Sequence, residues 1–275
     1  AHGHGYSRLW RLRTREGHAW LKMHAHPAKW AGEVHALTTW APSLGKTPKV
    51  LGHREGPCAV LRSEVEGFPA EEIALDGPAE ERMWREAGLW ARRLHSIEGS
   101  WFGTINADGS PGSEVSAEPM DFVDRTFEVR LREGAEMELF SASEVEFIRH
   151  GIKEWLPSLE GSTPCAIHRD YTPRNWMATK VGELTSVIDF EHARWDVKAA
   201  DMNRWWDYDF HRRPELADAF FETYGAPDDK LKTQIRLMRL QNATGGVVWA
   251  TKVRDWPFVE LNRTSLQRMM KEPRP

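Results

Sequence analysis

The run Ile167-His168-Arg169-Asp170-Tyr171-Thr172-Pro173-Arg174-Asn175-Trp176 holds the densest chemistry of the sequence. It is followed by Val187-Ile188-Asp189-Phe190-Glu191, an apolar strand that ends in a carboxylate. The pattern is His-x-Asp-x-x-x-x-Asn, with Asp189 fourteen residues after Asn175. Phosphoryl transfer needs such a set: one carboxylate orients the attacking hydroxyl and accepts its proton. Hard oxygen ligands hold Mg²⁺ on the phosphates, and a lysine neutralises the phosphate oxygens. A single Asp or Asn is usually a solvated strand end, but that reading does not account for the whole set at this spacing.

Local geometry brings two of these residues together. Asn175–Thr179 and Leu184–Asp189 are strand-like and flank Lys180-Val181-Gly182-Glu183. A hairpin centred on Gly182 sets Asn175 opposite Asp189, with Cβ atoms ~5 Å apart on one face. Two oxygen-bearing side chains then converge on one cation, and Asp170 lies on the loop entering the hairpin.

The elements that must position this set follow from periodicity. Residues 7–13 alternate as a strand, Glu16-Gly17 turns, and 18–23 form a second strand. Trp30, Val34, Leu37 and Trp40 recur at helical spacing within 28–40, and Pro42 is expected to close that helix. A second β pair is expected at 49–53 and 59–63, turning at Glu55-Gly56-Pro57. Val65-Glu66-Gly67-Phe68-Pro69 reads as a linker. Beyond residue 75 the pattern is mostly helical. Pro78 opens a helix to about His95, with Met83, Ala87, Trp90, Ala91 and Leu94 as its stripe. The Gly- and Ser-rich segment 99–118 reads as a surface loop, and 143–156 as an amphipathic helix ended by Pro157. Short strands and loops fill 164–190. Helices return from 199, with breaks expected near Gly225-Ala226-Pro227 and Gly245-Gly246. The division is therefore 1–64, a small β-rich lobe; 65–70, a hinge; and 71–275, a larger helical lobe.

Composition excludes several classes. The 37 Lys and Arg nearly balance 41 Asp and Glu, which gives no nucleic-acid coat and no polybasic membrane surface. No apolar run reaches the ~18 residues of a membrane span, and the start has no apolar secretion signal. The opening residue is not Met, so the natural chain is expected to extend upstream. Two cysteines, Cys58 and Cys165, without CxxC spacing point to a reduced, cytoplasmic protein rather than a disulfide scaffold. Zinc at His24-x-His26 is disfavoured, because no Cys or carboxylate stands nearby at zinc-site spacing.

These residues resemble the aminoglycoside phosphotransferase family, which shares the protein-kinase fold. The resemblance is specific at 167–191 and 61–67 and looser elsewhere. It implies an α+β, bilobal, protein-kinase-like fold and an ATP- or GTP- and Mg²⁺-dependent transferase. It makes Asp170 the catalytic base, and Asn175 and Asp189 the metal ligands. His168 packs to shape the catalytic loop, and Asp201 braces that loop. Lys22 matches the strand lysine on the α- and β-phosphates, with Glu33 as the ion-pair partner that holds it. Leu61–Gly67 resembles the hinge, where the Ser63 carbonyl and the Val65 amide would meet the purine. Gly3 and Gly5 are the candidate loop over the phosphates. The chain departs from the pattern in two places. Arg169 stands where many members carry Gly, and Phe190-Glu191 follows the metal aspartate. Glu191 bears on metal or acceptor, or is a plain loop acid.

In this family the acceptor pocket is built by the region after the metal aspartate. Residues 192–275 carry 15 Lys and Arg against 12 Asp and Glu, a poor match to a polycation. The expected acceptor is a small-molecule hydroxyl compound, foremost an antibiotic that need not be an aminoglycoside. The alternatives are a metabolite such as an amino alcohol or sugar, or a silent kinase-like binding module. Glu191, Asp207, Trp205 and Trp206 are the candidate acceptor contacts. Trp195, Trp205, Trp206, Trp249 and Trp256 are otherwise helix core. The expected assembly is a monomer or homodimer.

Overall fold

The computed structural model describes residues 7–272 apart from Glu16. Gly3, Gly5 and the Glu16 half of the first turn lie outside the described residues. The alternating opening forms β1 (Ser7–Thr14) and β2 (Gly17–His24), antiparallel from Ser7↔His24 to Thr14↔Gly17. Helix α1 (Pro27–His35) starts on a proline, whose missing N–H the first turn would leave unpaired anyway. Wider turns through Ala36–Trp40 carry the chain into α2 (Ala41–Leu44). Pro42 therefore sits in the first turn of α2 instead of closing the helix. With β3 (Val50–Arg54) and β4 (Ala59–Ser63), the first sheet has the order β1-β2-β4-β3. Trp30, Ala31 and Val34 of α1 cover Val60 to make a small core of its own.

The chain then crosses through β5 (Phe68–Pro69) to α3 (Gly77–Leu94), whose N–H at Ala79 is accepted by the Asp76 side chain. The expected stripe Met83, Ala87, Trp90, Ala91 and Leu94 is buried. The segment expected to be a loop instead contains β6 (Phe102–Ile105) and β7 (Pro111–Ser116). Both complete a sheet whose other strands lie near the catalytic loop. Helix α4 (Pro119–Glu136) has no counterpart in the periodicity reading, since charged residues interrupt its Phe122, Val123, Phe127 and Leu131 stripe. A capping box between Ser141 and Glu144 starts α5 (Ala142–Trp155).

Three short strands follow: β8 (Cys165–Ile167), β9 (Trp176–Ala178) and β10 (Leu184–Val187). After β11 (Arg194–Asp196) come α6 (Asp209–Arg212), α7 (Pro214–Tyr224), α8 (Asp229–Val253) and α9 (Trp256–Lys271). The second and third sheets run β10-β9-β5 and β7-β6-β11-β8. The strand leaving the first sheet thus docks on the catalytic hairpin. The break at 225–227 is present, but α8 continues through Gly245-Gly246. Gly246 serves packing: a Cβ there would stand 2.2 Å from Asn262 Oδ1 of α9.

Trp84, Trp176, Trp205, Tyr171 and Phe220 meet edge to face or tilted beneath the catalytic loop. Each such ring contributes ~2–3 kcal/mol by leaving water. The loop therefore rests on a rigid aromatic floor. No helix among the described residues is long and apolar enough to cross a membrane.

Candidate active site

The loop that carries Asp170 begins where β8 ends, and its shape is held by buried carboxylate bonds. Asp201 accepts the His168 N–H at 2.8 Å and the Arg169 N–H. Arg169 has φ +70°, a left-handed conformation that costs free energy unless its surroundings fix it. Asp201 supplies that restraint. It is itself held by His95 Nε2 at 3.1 Å, which reaches Tyr224 through Nδ1. Fully buried His168 donates Nε2–H to Ile188 O at 2.8 Å and packs on Phe190. It ties the loop to the strand that delivers Asp189.

Asp170 is held at both carboxylate oxygens. Asn175 Nδ2 donates to Oδ2 at 2.9 Å, and Arg204 Nη1 donates to Oδ1. Burial alone would raise the Asp170 carboxyl. Arg204, with His192 and His168, outweighs it and holds the group below the ordinary carboxylate range. The ionised form is the one that accepts a proton.

The hairpin corrects the expected register. Trp176 pairs with Val187, and the Ile188 N–H reaches Asn175 O, so Asn175 faces Ile188 rather than Asp189. Thr185 is the cause. It bulges out between Leu184 and Ser186, and its hydroxyl bonds Met177 O and Glu66 O. Asp189 enters the cleft by a left-handed turn, φ +68°, not by cross-strand pairing.

Asp189 Oδ1 then meets Lys22 Nζ at 2.5 Å. Lys22 also contacts Glu33 Oε2 at 3.0 Å and Glu191 Oε2 at 2.9 Å. Lys22 and Glu33 are thus brought together as expected, with Glu33 fully buried. Glu33 further meets Arg62 at 3.3 Å and His24 Nε2 at 2.8 Å. Burial would lower the Lys22 ammonium, but Asp189, Glu33 and Glu191 raise it beyond the usual lysine range. Conversely, burial would raise Glu33 and Asp189, and Lys22 brings both well down. Glu191 is more than a loop acid: it accepts from Ser7 Oγ at 3.0 Å and from Lys29 Nζ at 2.7 Å. His24 pairs with Glu33 through its Nε2.

The donor set fits Mg²⁺ held together with phosphates. Asn175 spends its Nδ2 on Asp170, which leaves its amide oxygen, and Asp189 uses one carboxylate oxygen on Lys22. An amide and a carboxylate oxygen are the hard donors this ion takes, with the rest from phosphate and water.

Two acceptor candidates are corrected. Trp205 is fully buried, and its Nε1 bonds Tyr171 O, so it is floor and not platform. Asp207 is buried and spent on Arg239, at 2.9 and 3.2 Å. Trp206 is half-buried against Phe210 and Phe221. A cavity of about 310 Å³ opens beside this loop, lined by Glu80, Tyr208, Asp209, Arg212, Leu216 and Leu261. Ser63 ends β4, tied to Lys49 O through its N–H, and Val65 lies in the crossing to β5. Periodicity did not reveal Arg62 or Arg204. Arg62 had a signal, a charge within the apolar strand Ala59-Val60-Leu61. Arg204 sits in an irregular loop and had none.

The fold recurs in solved structures. A thermostable aminoglycoside phosphotransferase APH(4)-Ia, in a ternary complex with AMP-PNP and hygromycin B, superposes with TM-score 0.76. Its identity is 12%, over 98% of this chain and 92% of that one. The gentamicin complex of APH(2")-IIa gives 0.66 at 15% identity, over 96% and 91%. The GDP and kanamycin complex of an APH(2") enzyme gives 0.70 at 15%, over 96% and 90%. A search of curated protein sequences found no match. At these identities the structures establish the α+β kinase-like fold. The sequence profile described as the phosphotransferase enzyme family matches residues 1–235, most of the chain and every residue of the clusters at Lys22 and Asp170, and the chain belongs to that family.

Proposed function

We propose that the chain moves the γ-phosphate of ATP or GTP to a hydroxyl of a small molecule, foremost an antibiotic. One observation carries this reading: Asp170, held ionised, shares a cleft with Asn175 and with the Asp189–Lys22–Glu33 cluster. Asp170 orients the acceptor hydroxyl and takes its proton. Lys22, placed by Glu33, meets the phosphates. Asn175 and Asp189 hold Mg²⁺, which when bound neutralises charge on the transferring phosphate. Ser63 and Val65 offer main-chain groups to the purine, and residues 65–70 act as the hinge between a first lobe, 1–64, and a second, 71–275. The complexes of similarly folded enzymes with AMP-PNP, GDP, hygromycin B and kanamycin support a nucleotide and an antibiotic in this cleft. The test is phosphate transfer from ATP and GTP, with and without Mg²⁺, to a panel of hydroxyl-bearing antibiotics and metabolites. Transfer only with the metal, to at least one antibiotic, is expected. Absence of Mg-nucleotide binding would sink the reading.

A further inference from the structure

We infer that Arg204 sets the charge of the acceptor: the group beside the reacting hydroxyl is neutral or anionic, not an ammonium. This rests on the phosphotransferase reading above. Three contacts from separate elements fix the guanidinium. Nη1 donates to Asp170 Oδ1, Nε donates to Asn242 Oδ1 of α8 at 3.3 Å, and the group lies 5.8 Å over the Phe258 ring of α9. Its side chain is 25% exposed, beside Asp170. An arginine carries five donors in one rigid plane. Nη2 has no partner among the described residues and is left for an oxygen of the acceptor.

The charges near Asp170 favour the same class. Without Arg204 the carboxylate would attract an ammonium next to the hydroxyl it serves. With Arg204 on Oδ1 the pair is neutral as a unit. Asp189, an acid that acts on this carboxylate, is itself taken by Lys22. An ammonium there would compete for Asp170 and leave a partly buried guanidinium unpaired, an unfavourable exchange. An acceptor oxygen, whether hydroxyl, carbonyl or carboxylate, instead gains a donor held in place before binding. Arg204 is thus a specificity-determining and positioning residue.

The test compares acceptors of opposite charge on wild type and on Arg204→Gln, Arg204→Glu and Arg204→Lys. The probes are kanamycin-type aminocyclitols, polycations that carry several ammonium groups among their hydroxyls, and neutral or carboxylate-bearing hydroxyl compounds. Mg-nucleotide binding is measured separately for each protein. Wild type is expected to favour the neutral or anionic acceptors in kcat/KM. Arg204→Glu should shift the ratio of the two classes at least about tenfold toward the aminocyclitols, largely through KM, and Arg204→Lys should restore part of it. Equal losses on both classes would show a merely structural arginine and overturn the inference. A wild type that prefers kanamycin, or that binds Mg-nucleotide yet phosphorylates no neutral or anionic probe, would also overturn it. Loss of Mg-nucleotide binding in wild type would instead strike the phosphotransferase reading itself.

Discussion

At Lys22, one ammonium is shared among three carboxylates, Glu33, Asp189 and Glu191. In the loop from Asp201 to Asp209 the acids are answered one at a time. Asp201 has main-chain N–H groups and His95, Asp207 has Arg239, and Asp209 has no comparable partner. The first region gathers three carboxylates around one ammonium, with Arg62 and Lys29 at its edges. The second spreads its charges and places an arginine, Arg204, on Asp170. Burial pushes both carboxyls up, and the presence or absence of a strong cationic partner decides the outcome. Fully buried Glu33 is driven down, whereas Asp209 is pushed up to about 6.

The largest expected effect separates chemistry from phosphate binding. Asp170→Asn keeps the shape and the Asn175 contact but removes the proton acceptor. Its kcat should fall ~10²–10⁴-fold with nucleotide affinity unchanged, as general-base removal does. Lys22→Met should instead weaken nucleotide binding, read by titration with a non-hydrolysable analogue. If Asp170→Asn weakened nucleotide binding as much as Lys22→Met, the two regions would not divide the work.

Next comes stability. Glu33→Ala leaves Arg62 buried without its carboxylate and Lys22 with one fewer. Breaking a buried ion pair costs ~3–5 kcal/mol, so the urea midpoint should drop accordingly. Arg204→Gln removes a partly exposed pair and should cost under ~1 kcal/mol. Comparable losses would mean that the Asp170 pair holds the fold, contrary to the contrast drawn here.

What was legible follows the same division. The residues of 167–191 and the Lys22–Glu33 pair could be read because their pattern resembles a known family, while periodicity located only the strands and the helix that carry them. The hairpin register could not, since the bulge depends on Thr185 reaching Glu66 O, 119 residues earlier in the chain. Regional charge pointed to a basic acceptor side, but could not say that Asp207 is consumed by Arg239 or that Arg204 reaches Asp170. Those pairings join residues 32 and 34 positions apart through a loop without periodicity. Gly245-Gly246 read as a break because a helix's tolerance of glycine depends on its neighbour, here Asn262 of α9. The β6-β7 hairpin hid among small polar residues that carry no alternation.

The pH dependence of stability has opposite sign in the two regions. Glu33 and Asp189 have folded carboxyls below their ordinary range, so their stabilisation is present above the unfolded carboxylate pKa. It is lost as pH falls through the folded one. Asp209 behaves the other way. Burial, then Glu80 and more weakly Glu71, raise its carboxyl from 3.8 to about 6, and Arg212 only partly offsets them. The folded state therefore holds this proton more tightly than the unfolded chain. Above about pH 6 the ionised form destabilises the fold, and acidification toward the unfolded value relieves the penalty. Two units at 1.36 kcal/mol each bound the penalty at about 3 kcal/mol. Asp209→Asn should therefore raise the urea-unfolding stability at pH 7.5 by about 1–3 kcal/mol, and the gain should vanish near pH 4. A gain that is flat with pH would locate the benefit in packing of the cavity wall rather than in the charge. A loss at pH 7.5 would show that ionised Asp209 has a cationic partner after all, and the contrast with Glu33 would dissolve.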